Sequence, residues 1–213
     1  QPHSLGLPCE MLDVIFLLDQ TESIGPILSE KMKNLTKEVM DRHAHMFFVS
    51  PYKTRLDLIE FGRDAEYVSD LKLSQKRSGR QQLVQQLIGH MSDELDNITN
   101  LEKGLKKAFD AHEEYDTLQI TKNDRTDAKN IVVVFTDGKT HNQSAISSLQ
   151  KPSSVIVIAV ALGLKIFPDV LHQIADDVIY WTKEDGSERQ ESEVLQEIMA
   201  NFDFKPCGKE HGL

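Results

Sequence analysis

The spacing of hydrophobic positions along this chain changes period several times. Residues 12–18 (LDVIFLL) form a short apolar run with β-branched members and predict a buried strand. From Ile27 to about Phe47, the residues Ile27, Leu28, Met32, Leu35, Val39 and Met40 recur at three- and four-residue steps, which predicts a helix with these side chains inward. Residues 55–62 (RLDLIEFG) alternate like a strand, Gly62-Arg63-Asp64 reads as a turn, and residues 65–71 (AEYVSDL) read as the hairpin partner. Two helices are predicted at 81–88 and 101–115, the second with Leu101, Leu105, Ala108, Phe109 and His112 on its inner face. The polar stretch 116–130 reads as a surface loop. Further strands are predicted at 130–137 (NIVVVFTD), 154–162 (SVIVIAVAL) and 177–182 (DVIYWT). Helices follow at 168–175, with Pro168 in the first turn, and at 192–202, with Ser192 as N-cap. Trp181 and Met199 read as packing residues.

Strands alternating with helices predict an α/β fold. The expected architecture is doubly wound: a mostly parallel six-stranded sheet, one antiparallel edge strand from the hairpin, and helices on both faces. Central strands that are apolar throughout fit a sheet covered on both sides. No repeat, low-complexity tract or linker divides the chain. One domain is expected over residues 12–203, between an extension at 1–11 and a tail at 204–213.

The candidate chemistry lies where two of these strands end. Residues 12–18 run into Asp19, and residues 130–136 run into Asp137. In an open α/β sheet, ligands bind beyond the carboxyl ends of the strands, and the first and fourth strands are often neighbours there. Asp19 and Asp137 are then expected to face one crevice. Thr21 and Ser23 follow Asp19 at alternate positions, so both hydroxyls reach the same side. Mixed carboxylate and hydroxyl oxygens suit a hard cation such as Mg²⁺. The competing reading has the hydroxyls capping helices and the acids ending strands by chance.

Composition narrows the setting. A net charge of −10, with no local cluster of bases to reverse it, argues against a nucleic-acid binder. No apolar run approaches the roughly 20 residues of a membrane span, so no membrane insertion is expected. Cys9 and Cys207 bracket the predicted domain. They read either as a disulfide joining its ends, worth about 4–5 kcal/mol in a chain-entropy treatment, or as two unrelated thiols. A disulfide implies an oxidising compartment. Three N-glycosylation sequons, at Asn34, Asn97 and Asn142, point the same way, as does a start at Gln1, which fits a processed secreted chain or an excised segment. None of the eight histidines pairs at zinc-like spacing; His43 and His45 are poorly placed on a helix, and His141, which follows the Asp137 loop, reads as a solvated loop residue, with a place on the ligand face as the alternative.

FLLDQTESIG (residues 16–25) resembles the D-x-[S/T]-x-S motif of the von Willebrand factor type A domain, the I domain of integrins. FTDGK (135–139) resembles that family's second acidic loop, and in TNLEKG (99–104) Thr99 stands five residues before Gly104, as in the family's middle loop. The resemblance runs from Leu12 to Phe202. It implies the family's Rossmann-like fold and a metal-ion-dependent adhesion site made of Asp19, Thr21, Ser23, Thr99 and Asp137. It implies Mg²⁺, with Mn²⁺ or Ca²⁺ as alternatives, held directly by hydroxyls and through water by one or both aspartates. An Asp or Glu of an extracellular protein ligand, collagen or another matrix protein by family habit, would fill the open position. A shift of the last helix can couple to ligand affinity in such domains. The terminal cysteines match extracellular members in which a disulfide joins the domain ends. The chain is thus expected to be extracellular, either secreted or the ectodomain of a larger cell-surface protein.

Two departures stand out. The middle loop, Asp96-Asn97-Ile98-Thr99-Asn100, is bulky and brings another acid towards the rim. Thr99 also completes the Asn97 sequon, so that site is expected either to be unoccupied or to carry a glycan that narrows access to the metal. Three functions compete: an adhesion module, a structural matrix block whose metal only stabilises the loops, and an enzyme. Haloacid-dehalogenase-type phosphatases also begin with an aspartate after the first strand, but they need a second one two residues on, where this chain has Thr21. There is no G-x-S-x-G and no phosphate-binding glycine loop, so no enzymatic activity is expected.

Overall fold

The computed structural model describes residues 12–46, 54–69, 94–117 and 129–202. The strands are β1 (Leu12–Asp19), β2 (Thr54–Phe61), β3 (Ala65–Ser69), β4 (Lys129–Thr136), β5 (Val155–Ala161) and β6 (Asp177–Tyr180). The helices are α1 (Pro26–Met46), α2 (Leu101–Thr117), α3 (Gln143–Ser148), α4 (Pro168–Ile174) and α5 (Glu191–Asn201). The predicted helix at 81–88 lies outside the described residues.

The six strands form one sheet in the order β3-β2-β1-β4-β5-β6. Every pairing is parallel except that of β2 with β3, which places the hairpin strand at an edge. The expected fold class is therefore the one observed. Side chains alternate between the two faces of each strand. Val14, Phe16, Ile131, Val133, Ile158 and Val160 pack with α1 and α5, through Leu28, Met32, Leu35, Val194 and Ile198. Ile15, Leu17, Val132, Val134 and Val157 pack with α2, α3 and α4, through Leu101, Leu105, Ile146 and Leu171. Trp181 is 2% exposed and belongs to the first of these cores, as a packing residue just beyond β6. Gly104 lets α2 approach the sheet: a Cβ there would stand 2.8 Å from Phe61 Cγ.

Three expectations change. Ile27 is not on the inner face of α1 but 73% exposed. It is the second residue of a helix that Pro26 opens and lies on the stripe of Lys31, Asn34 and Glu38, away from the buried stripe of Leu28, Met32, Leu35 and Val39. Ser192 is not an N-cap: α5 starts at Glu191, Gln190 holds the cap position, and no side chain caps it. Glu191 and Glu193 in the first turn face the positive end of the helix dipole instead. The stretch 116–130 is not all loop, because α2 runs to Thr117 and β4 begins at Lys129.

Candidate metal centre

β1 and β4 are neighbours at the middle of the sheet, and the chain leaves them in opposite directions, to β2 on one side and β5 on the other. The switch crevice opens where these two strands end. Asp19 is the last residue of β1, and Asp137 follows the last residue of β4. Asp19, Thr21, Thr99 and Asp137 are all buried, and Ser23 is half-buried.

The side chains are linked in a chain of hydrogen bonds. Thr21 Oγ1 donates to Asp19 Oδ1 at 2.5 Å and lies 3.2 Å from Ser23 Oγ. The Ser23 hydroxyl lies on the Asp137 side of the crevice and helps hold that carboxyl's pKa down. Thr99 arrives on the segment 94–100. That segment is bound to the loop after β1 by Asp96 N–H donating to Gln20 C=O and Glu22 N–H donating to Asp96 C=O, both at 2.8 Å. It is bound to the loop after β4 by His141 N–H donating to Thr99 C=O at 2.9 Å and Thr99 N–H donating to His141 Nδ1 at 3.0 Å. Four loops far apart in sequence thus converge on one rim. Gly163, after β5, passes so close that a Cβ there would lie 2.5 Å from Asp137 Cβ.

Burial and mutual repulsion dominate the electrostatics of the two aspartates. Burial, followed by the charge of Asp137, raises the Asp19 pKa from its ordinary 3.8 to about 8, against the hydroxyls of Thr21 and Thr136 that hold it down. Burial also raises Asp137, opposed by the Lys139 N–H and the Ser23 hydroxyl. Asp137 Oδ1 accepts from Lys139 N at 2.7 Å, but Oδ2 is buried with no hydrogen-bond partner. A buried polar atom without a partner is costly unless something else satisfies it. Two buried carboxylates beside three hydroxyls, one oxygen unsatisfied, fit a hard divalent cation. Among the described residues no three His, Cys, Asp or Glu side chains gather, so the set rests on two carboxylates and on hydroxyls.

Three contributors were not legible as such in the sequence. Thr136 Oγ1 donates to Asp19 Oδ2 at 2.7 Å and accepts from Gly138 N at 3.1 Å, bracing both aspartate loops; the hydroxyl directly before Asp137 was the available signal. His141 is no mere solvated loop residue, since it grips Thr99. Asp96 turns away from the role of a free rim acid: Oδ2 accepts from Arg63 N at 2.9 Å and Oδ1 from Ile98 N at 3.2 Å. The Arg63 bond first, with the others, holds its carboxyl below the ordinary range.

The surroundings are acidic and partly apolar. A cleft of about 600 Å³ beside the site is lined by Glu22, Glu60, Asp64, Glu66 and Glu94, with Arg63. Leu164, whose N–H donates to Ser23 C=O at 3.3 Å, is 73% exposed, as is Ile27. Cys9 and Cys207 lie outside the described residues. Asn34 is exposed on α1, but the Thr36 hydroxyl of its sequon is buried against Met32 C=O at 2.8 Å. Asn97 is exposed and accepts from Arg63 Nη2 at 3.3 Å. Asn142 is exposed and caps α3.

A doubly wound, mostly parallel sheet with an aspartate–hydroxyl crevice at its switch point places the chain among the α/β domains. The von Willebrand factor type A domain model matches residues 13–198, and the chain belongs to that family. No curated protein matches the sequence significantly. Among solved structures, proximal thread matrix protein 1 from the mussel byssus is 20% identical, with a TM-score of 0.66 over 94% of this chain and 49% of that one. This chain thus spans about half the length of that protein. The same mussel protein with a zinc-occupied MIDAS motif is 21% identical, with a TM-score of 0.66 over 92% of this chain and 47% of that one. The manganese-loaded TRAP protein of Plasmodium vivax is 15% identical, with a TM-score of 0.64 over 90% of this chain and 73% of that one. At these identities the likeness is one of fold. No helix among the described residues is long and apolar enough to cross a membrane.

Proposed function

We propose that this chain is an extracellular adhesion module that takes up a divalent cation, Mg²⁺ or Mn²⁺, through Asp19, Thr21, Ser23, Thr99 and Asp137, and uses it to engage a carboxylate of a protein ligand. The observation that carries the reading is the unsatisfied Asp137 Oδ2 facing a crevice shared with a second buried carboxylate. A bound cation would satisfy that oxygen and offer a Lewis-acidic position to an outside Asp or Glu. The chain's own residues do the rest. Thr21 and Thr136 hold Asp19 in place, Lys139 N–H holds Asp137, and the apolar shoulders of Ile27 and Leu164 are available to the ligand around the carboxylate.

The acid-lined cleft and the net charge of −10 disfavour anions, so a carboxylate ligand gains little here without the cation. Collagen and other matrix proteins are the first ligands to try. The haloacid-dehalogenase-type phosphatase is the weaker reading, because Thr21 occupies the place of its general acid and donates to Asp19.

Calorimetric titration of Mg²⁺ and Mn²⁺, with binding to immobilised matrix proteins in the presence and absence of EDTA, tests the proposal. Wild type is expected to bind the cation and to hold a ligand only while the cation is present. Asp19→Asn and Asp137→Asn keep the fold by circular dichroism and lose the cation. Uptake without any cation-dependent ligand would favour the structural role, and retention of the cation by both variants would overturn the site.

A further inference from the structure

We infer that His141 is the positioning residue for Thr99, and that its Nδ1 lone pair is what brings the fifth member of the set into place. The inference rests on the metal-site reading above. Thr99 lies in a segment with no helix or strand of its own. Both polar atoms of its backbone are held by one residue: its N–H donates to His141 Nδ1 at 3.0 Å, and its C=O accepts from His141 N–H at 2.9 Å. His141 stands four residues after Asp137 on the same loop, so this two-point clamp fixes the Thr99 loop relative to Asp137. The neighbouring tethers pull elsewhere. Asp96 N–H binds Gln20 C=O, and Asn100 N–H binds Gly62 C=O, towards the loop after β1 and the β2–β3 turn.

The contact has a definite polarity. A backbone N–H can only donate, so in the shorter, 3.0 Å contact Nδ1 accepts and the ring proton stands on Nε2; Nδ1 also lies 3.3 Å from Thr99 C=O, the longer contact that the other tautomer would use. The residue as a whole is exposed, so the ring fills no core volume and its removal opens no cavity. What His141 contributes is one directed acceptor. Groups that orient metal ligands in this way typically change metal affinity about 10–100-fold when removed.

The test compares wild type with His141→Ala, His141→Asn and His141→Gln in the full chain, by Mn²⁺ calorimetry and by hydrogen exchange at the Thr99 amide. Asn places an acceptor oxygen on Cγ, where Nδ1 stands; Gln places it one bond further out. His141→Ala and His141→Gln are expected to weaken Mn²⁺ binding by about tenfold or more and to speed Thr99 exchange. His141→Asn is expected to stay within about threefold of wild type on both readouts, with the thermal midpoint unchanged throughout. Wild-type affinity and exchange in His141→Ala, or no rescue by His141→Asn, would overturn the clamp. If wild type itself takes up no Mn²⁺, the metal-site reading falls, and the exchange comparison alone decides whether His141 holds Thr99.

Discussion

At Gly163 the space for a side chain is already taken by Asp137. The Cβ introduced by Gly163→Ala would lie 2.5 Å from Asp137 Cβ, and one of the two loops must give way. The expected result is a loss of cation affinity of about tenfold or more, with a stability cost of about 1–3 kcal/mol in urea denaturation. Wild-type affinity would mean that the Asp137 loop yields without losing its aim. At this scale the sequence shows some residues better than others. Asp19, Thr21, Ser23 and Asp137 stand out because alternating chemistry at a strand end is a local pattern, and Thr99 stands out only through its family resemblance. Asp96 and His141 carry no such pattern, because their roles depend on which backbone amides the fold brings to them. For Asp96 these are the N–H groups of Arg63 and Ile98, and for His141 the N–H of Thr99.

Among the elements, the long periodic ones are legible and the short ones are not. The period of α1 places Leu28, Met32, Leu35, Val39 and Met40 correctly in the core, yet Ile27 falls on the stripe of Lys31, Asn34 and Glu38, which an apolar residue beside the core stripe makes easy to overlook. The helix α3 has one buried apolar residue, Ile146, and so no face to detect. It is held by its cap: Asn142 Oδ1 accepts from Ala145 N at 3.2 Å and from Ser144 Oγ at 3.0 Å. Asn142→Ala is expected to cost about 1 kcal/mol by urea denaturation, and Asn142→Asp only a few tenths, although both remove the sequon. Equal losses from the two substitutions would assign the effect to the glycan rather than to the cap.

For the whole molecule, the buried carboxylates set the response to pH. The folded-state pKa of Asp19, about 8, lies above its ordinary 3.8, so folding takes up a proton between those values. Its contribution to stability is present below about pH 4 and is lost as pH rises through about 8. Asp137 moves in the same direction. The carboxylates held low, Asp96, Asp185 and Glu197, act only as pH falls into the carboxylate range. In EDTA the urea midpoint is therefore expected to fall between about pH 5 and pH 8. Saturating Mn²⁺ should remove that slope and release protons on binding. A midpoint in EDTA that rises over this window would contradict the burial of the pair.

The bond from Thr136 to Asp19 spans 117 residues of sequence. Closing a loop of that length precedes any reward from the contacts it permits. The proposed cation site is therefore complete only once β1 and β4 have paired, although Asp19, Thr21 and Ser23 are neighbours in sequence. A metal held by the full set would oppose the separation of those strands, so its grip would act as a latch against opening.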